Sequence, residues 1–302
     1  MTRRKAQPQQ RSKKPLKGAK ARQASQAKRN RQIAIVSIGA VVVAVVVVAM
    51  IAFSGKGKPS PSASSSTDAA KVADLVTGVP VSILDQVGIG QNVTPPDMLP
   101  ASVPPLSENG KPDVFYYGAE YCPYCAAQRW PLVVALSRFG TFSGLGITTS
   151  SSTDTAPDTP TLTFHGSTYT STYLSFSPVE TQTRTGKTLD LPTTVQQNLV
   201  STYDTTPYTT QAGAIPLLMI GNRYMQIGSA FDPASLAGMS QLQVAAALAD
   251  PAAPTTQRIA GSANLFTAAL CQLTNGAPTN VCTAPGVKAA QSLLPTSPPA
   301  GP

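Results

Sequence analysis

The chain is short of several things from which catalytic and metal-binding sites are commonly built. It has one histidine, His165, one tryptophan, and charged side chains at only 12% of positions. A site that needs histidine, such as a Cys-His pair, must therefore use His165, and the glycine that follows marks it as a loop residue. Cysteine is scarce too, with four in 302 residues. Their spacing, C-x2-C and then C-x10-C far downstream, is poor for zinc, and no metal or other cofactor is expected. Copper carriage by the first pair would want Met or His ligands close by, and none is near it in sequence. Residues 1–32 hold no Asp or Glu at all, against twelve Lys or Arg. No internal repeat is present.

This basic tail is the first positive feature. From Pro59 onward nine basic residues face fourteen acidic ones, so the net charge of +9 belongs to the tail and the remainder is mildly acidic. No aromatic side chain is interleaved in the tail to stack on bases, so nucleic acid is not the expected partner. Next comes 33–53, an uncharged run dominated by Val, Ile and Ala. As a helix it matches the roughly 30 Å hydrocarbon layer, and the cations before it place the N-terminus in the cytoplasm. A cleavable signal peptide is the competing reading. The run exceeds the usual core of about 7–15 residues, and no small-x-small cleavage site follows it, so a retained single-pass anchor is expected. The organisation read from composition is a basic cytoplasmic tail (1–32), a transmembrane helix (33–53), a Ser/Pro spacer (54–67), an extracytoplasmic domain (68–294) and a polar tail (295–302).

Within the domain, 70–76 has weak helical spacing, while 81–87 and the Pro-rich 95–105 read as an irregular lead-in. Asn109-Gly110 is a turn that feeds a strand over 111–118. Residues 122–139 place Cys125, Gln128, Leu132, Leu136 and Phe139 on one helical face, with Pro131 expected to kink or divide the helix. On that helix Trp130 reads as core and Arg129 as part of a solvated face. A hairpin of 161–164 with 169–176 is expected about His165-Gly166, then a helix over 192–203. Strands over 217–220 and 223–227 meet at Gly221-Asn222, and helices over 239–248 and 255–273 close the domain.

Cys122-Pro123-Tyr124-Cys125 carries the chemistry. It follows the apolar run Val114-Phe115-Tyr116-Tyr117 and opens a helix, so the two thiols straddle a first helical turn. There they can close a disulfide, and the helix N-terminus favours a thiolate on Cys122. Cys125, one turn inside, faces the core. Exchange of such a pair with a partner proceeds through a mixed disulfide on the first cysteine, resolved by the second.

Ala119-Glu120-Tyr121-Cys122-Pro123-Tyr124-Cys125 resembles the Ala-Glu-aromatic-C-x-x-C segment of the thioredoxin superfamily, and Ile215-Pro216 before a strand is similar to that fold's cis-proline loop. The whole chain also resembles a family of membrane-anchored thioredoxin-like proteins catalogued as a domain of unknown function. The resemblance implies an α/β, thioredoxin-like fold with an insertion (about 146–210) between the C-x-x-C helix and the cis-proline loop. It implies Cys122 and Cys125 as catalytic residues, with Ile215, Pro216 and Tyr124 contacting substrate. Two departures stand out: Tyr116 occupies the place of the buried acid that assists proton transfer in thioredoxin, and Glu120, two residues before the dithiol, is expected to be exposed. Pro-Tyr between the cysteines is the glutaredoxin dipeptide, which implies a potential within roughly −120 to −270 mV.

Cys271 and Cys282 are close enough in sequence to pair, as a structural disulfide or as a second redox couple; both readings stay open. The expected function is a membrane-anchored thiol-disulfide oxidoreductase, an oxidase or isomerase. Its partners would be secreted or envelope proteins with cysteines and a membrane quinone-coupled thiol oxidase. The alternative is a non-catalytic binding or assembly module with a permanently closed disulfide.

Overall fold

The computed structural model describes residues 66–298. The basic tail, the apolar run 33–53 and nearly all of the spacer lie outside them. No helix among the described residues is long and apolar enough to cross a membrane.

In chain order, helices α1 (Ser66–Thr77) and α2 (Val81–Val87) and a short strand β1 (Asp97–Met98) precede the hairpin of β2 (Ser107–Glu108) and β3 (Lys111–Gly118). Helix α3 (Pro123–Leu136) follows, then four short strands, β4 (Gly140–Ser143), β5 (Gly146–Thr149), β6 (Pro160–Thr163) and β7 (Thr168–Ser171). Strand β8 (Ser175–Glu180), helix α4 (Thr194–Tyr203) and the pair β9 (Leu217–Ile220) and β10 (Tyr224–Ile227) come next. A 3-10 turn (Pro233–Leu236) and helices α5 (Gln241–Ala247), α6 (Pro254–Leu273), α7 (Thr279–Cys282) and α8 (Pro285–Gln291) complete the order.

The fold is mixed α/β around a mixed sheet. Its strands run β8–β3–β9–β10–β1, with β8 parallel to β3 and the other neighbours antiparallel. β2 pairs with the start of β3 through Asn109 and Gly110, whose positive φ values of 52° and 74° suit a two-residue hairpin turn. Strand alternation divides the core. Val114, Tyr116, Leu218, Ile220 and Tyr224 point to one face, under α3 and α6, while Phe115, Leu217, Met219 and Met225 point to the other, under α4. The first face carries the larger core. α3 is buried along almost its whole length, as a helix packed on several sides must be.

The sequence expectations hold best where pairing is local. β9, α4, α5 and α6 form close to their expected limits, and α3 is one helix with Pro131 inside it. The region expected as a hairpin differs. β6 pairs with β5 and β7 with β4, because β6 is pinned beneath α3 by Trp130 Nε1 on the Pro160 carbonyl at 2.9 Å and Thr161 Oγ1 on the Ala126 carbonyl at 2.9 Å. His165-Gly166 turns the chain without choosing the partner strand. The segment 146–210, read as an insertion, supplies β8, the parallel partner of β3 at the edge of the sheet, together with α4. β4–β7 and β5–β6 form two separate two-stranded sheets apart from the main one. Residues 81–87, expected to be irregular, form α2, whose last turn is held by Asn264 Nδ2 donating to the Leu84 and Gly88 carbonyls, both at 2.8 Å.

Cys271 and Cys282 are bonded, with Cα atoms 5.6 Å apart, and fasten α7 to the end of α6. Both are nearly fully buried, so the bond is shielded from solvent.

At the edge of the sheet the Ser177 hydroxyl lies 3.0 Å from both the Asp113 and the Glu108 carboxylates and has one hydrogen to give. Burial pushes the Asp113 carboxyl from its ordinary 3.8 up to about 6; the Ser177 bond opposes the rise and the Glu108 charge adds to it. A carboxyl raised in the folded state stabilises fully below its unfolded value, and that contribution is lost as pH rises through the folded one. Asp113→Asn should therefore flatten the fall in stability between about pH 4 and 6, by about 2 kcal/mol. Urea midpoints of both proteins at pH 4 and pH 7 check this; parallel curves would show that Asp113 does not titrate in that window.

Candidate functional site

The site begins where β3 runs out at Gly118. The chain turns through Ala119 to Tyr121, and Cys122 becomes the N-cap of α3, with φ −78° and ψ 123°. Pro123 at the first helical position needs no N–H partner and already holds a helical φ. The Cys122 sulfur takes over the capping role, accepting the Cys125 backbone N–H at 3.3 Å. Its own S–H reaches the Ile215 carbonyl at 3.5 Å, across the cis Ile215–Pro216 bond that leads into β9. The two sequence-singled pairs, Cys122/Cys125 and Ile215/Pro216, thus meet at one point although 93 residues separate Cys122 from Ile215.

The thiols sit in different surroundings. Cys122 is 5% exposed and Cys125 0%. Cys122 is held below its ordinary value, first by the hydrogen bond from the Cys125 thiol, against the cost of burial, and further by the Cys125 N–H, the Arg129 charge and the Tyr124 N–H. Burial pushes Cys125 well above its ordinary value, and its bond to Cys122 adds to the rise. The first sulfur is therefore the one that ionises, and the second stays a thiol until something draws its proton away.

Tyr124 is half exposed and lines a cleft of about 640 Å³ with Ile215, Ile227, Gly228 and Phe231. Tyr121, on the other side of the motif, lines a second cleft of about 560 Å³ with the hydroxyl-rich segment 151–155 and Arg184. The floor between α3 and the far strand is fixed by buried amides: Gln128 Nε2 donates to Gln226 Oε1 at 2.9 Å, and Gln128 Oε1 accepts the Ala230 N–H at 2.8 Å.

Beneath the dithiol lies the largest departure from expectation. Arg129, expected on a solvated face, is 0% exposed and makes a two-pronged ion pair with Glu180, Nε to Oε1 and Nη2 to Oε2, both at 2.7 Å. Nη2 also reaches the Ala119 carbonyl at 2.9 Å. The reason is helical spacing: Arg129 stands one turn after Cys125 on the same inward face, and the sheet brings Glu180 opposite Gly118 in register. Burial alone would lower the Arg129 pKa, but the Glu180 carboxylate, with Tyr116 and Cys125 adding to it, more than offsets this and holds it above its ordinary value. Glu120, expected to be exposed, is 9% exposed. Glu180 was not singled out from sequence; its only signal there is an acidic residue ending an apolar-alternating strand.

Tyr116 is fully buried with its ring edge-on to Phe164 at 5.0 Å and the Arg129 guanidinium over it at 5.8 Å. A Cβ on Gly118 would lie 2.5 Å from the Tyr116 hydroxyl and 3.0 Å from the Cys125 sulfur, so glycine there lets the two approach. His165 bonds Asp190 at 2.7 Å in a solvent-facing pair. Among the described residues no cluster of three or more His, Cys, Asp or Glu gathers to hold a metal ion.

A family model described as a domain of unknown function (DUF929) matches residues 98–272. The chain belongs to the DUF929 family. The DUF929 span runs from Met98 on β1 to Gln272, so it takes in the dithiol, Tyr116, Arg129, Glu180 and the Ile215–Pro216 loop, and stops before Cys282. No curated protein and no solved structure matches the chain.

Proposed function

We propose that this DUF929 protein is a membrane-anchored thiol-disulfide oxidoreductase that exchanges disulfides with extracytoplasmic proteins through Cys122 and Cys125, on a thioredoxin-like fold. The fold reading is supported by the strand order β8–β3–β9–β10, with β3 and β8 parallel, the dithiol at the end of β3, and a cis proline immediately before β9. The observation that carries the function is the contact of the Cys122 sulfur with the Ile215 carbonyl at a helix start. A nucleophile is held there against an open backbone edge, where an extended chain can lie across it.

In the oxidising direction a substrate thiolate attacks Cys122 of the closed disulfide; the Cys122–Cys125 bond breaks and its electron pair leaves on Cys125, which takes up a proton. A second substrate thiolate then attacks the substrate sulfur of the mixed disulfide. The substrate disulfide forms, Cys122 leaves as thiolate, and two electrons have passed to the protein. Isomerisation starts from the reverse of the second step: the Cys122 thiolate attacks a substrate disulfide and expels one substrate thiolate, a different substrate thiolate then attacks the substrate sulfur of the mixed disulfide, and Cys122 leaves as thiolate with no net transfer of electrons. The basic tail and the apolar run 33–53 support an anchor with the domain outside the cytoplasm. A membrane quinone-coupled thiol oxidase is the partner that would accept the electrons. The buried Cys271–Cys282 bond serves as a staple in this reading.

The test is a trap. Full-length protein carrying Cys125→Ala, expressed in cells, should accumulate reductant-sensitive adducts with exported proteins on Cys122, because resolution is blocked. Adducts absent, or equally abundant when Cys122 is also replaced, would refute the function.

A further inference from the structure

The exchange mechanism leaves one buried polar group unused. Tyr116 is 0% exposed and its hydroxyl has no hydrogen-bond partner among the described residues. An unmet hydroxyl in a core costs about 1–3 kcal/mol, and phenylalanine would fill the same volume without that cost. The hydroxyl is also aimed: it and the Cys125 sulfur lie 2.5 Å and 3.0 Å from the same point above the Gly118 Cα. Phe164 against the ring edge and Arg129 over its face leave it no room to swing elsewhere.

We infer that the Tyr116 hydroxyl is a positioning hydrogen-bond donor for the Cys125 sulfur, engaged when that sulfur becomes a thiolate to resolve a mixed disulfide. The inference rests on the oxidoreductase reading. The charged and titratable groups around the hydroxyl are Cys122, Cys125 and Arg129 from α3 and Glu180 from β8. Glu180 has both oxygens committed to Arg129, so no free carboxylate stands there as a base. Burial keeps the phenol protonated far above the ordinary range, so it acts as a donor. A neutral thiol is a weak acceptor and a thiolate a strong one, so the bond strengthens only as the reaction proceeds. In that step the Cys125 thiolate attacks the Cys122 sulfur, the bond from Cys122 to the partner sulfur breaks, and the departing thiolate takes the proton that Cys125 gave up. Where thioredoxin's acid would withdraw the proton, a hydroxyl here lowers the cost of having lost it.

Full-length reduced protein in detergent, mixed with a small aromatic disulfide that releases a coloured thiolate, reports both steps. Attack by Cys122 releases the first equivalent and resolution by Cys125 the second. With Tyr116→Phe the first phase should be unchanged. The second should be about tenfold slower at pH 7 with its pH midpoint about one unit higher, and the urea midpoint should be equal or higher. A second phase at the wild-type rate and midpoint overturns the inference. So does a loss of stability, which would make the hydroxyl a structural group. If the wild type itself releases only one equivalent, the dithiol does not resolve and the oxidoreductase reading fails along with the inference.

Discussion

Cys122→Ser is expected to reduce disulfide exchange to the protein-free rate while leaving the fold as stable as before. A serine hydroxyl at neutral pH is not a nucleophile for disulfides and cannot carry a mixed disulfide, so both directions of exchange stop. The fold has no reason to suffer. Cys122 caps α3 by accepting the Cys125 N–H at 3.3 Å, and a serine oxygen is among the strongest acceptors at that position. The variant thus separates chemistry from structure. Insulin reduction by the dithiol form and oxidation of a reduced model substrate by the disulfide form measure the first, and thermal unfolding measures the second. Cys125→Ser should behave differently, keeping the initial attack and losing the release. Equal activity of Cys122→Ser and wild type would leave the dithiol without a function.

The largest stability effect is expected at Arg129. Arg129→Met strips the partner from a carboxylate that is itself 0% exposed, leaves the Ala119 carbonyl without its Nη2 donor, and removes the cation facing Tyr116. An uncompensated buried charge of this kind costs about 3–5 kcal/mol, a large share of the roughly 5–15 kcal/mol that holds a typical domain together. Replacing both members, Arg129→Met with Glu180→Leu, should recover most of the loss, since paired apolar side chains avoid the desolvation that the ions suffer. Urea unfolding of the two single variants and the double variant measures the coupling. If Arg129→Met alone is neutral, the pair is hydrated in solution and does not form the site's floor. The double variant has a second use: with stability restored, any remaining rise in the pH at which Cys122 alkylates reports the net field of the Arg129–Glu180 pair on the thiolate.

What the sequence made legible was set by distance along the chain. The turn at Gly221-Asn222 joins two strands that pair with each other, so β9 and β10 could be read from a few residues. The dithiol, its helix and the proline loop carry local signatures. Strand β8 does not: it is rich in Ser, its partner β3 runs parallel, and α3 with four short strands lies between them. Nothing near 175–180 announces that pairing. The Arg129–Glu180 pair failed to show for the same reason and one more. An arginine between Gln128 and Trp130 reads as solvated until a carboxylate 51 residues away is folded against it, and a burial that only a partner permits cannot be inferred from one member. Tyr116 could be singled out six residues before the dithiol, but its consequence depended on Gly118 and Cys125 converging on the hydroxyl.

The Cys271–Cys282 bond closes a loop of 11 residues, and the other two cysteines are three apart. Four thiols can join in three ways, and every crossed pairing must close a loop spanning most of the domain. Loop-closure entropy rises by about 0.6 kcal/mol for each doubling of length, so in the unfolded chain the crossed pairings stand about 2 kcal/mol behind the local ones. An unfolded chain under oxidising conditions therefore sorts its own cysteines: the staple closes with its neighbour and leaves the motif pair to find only each other. Correct pairing of the four cysteines thus needs no helper beyond the chain's own spacing.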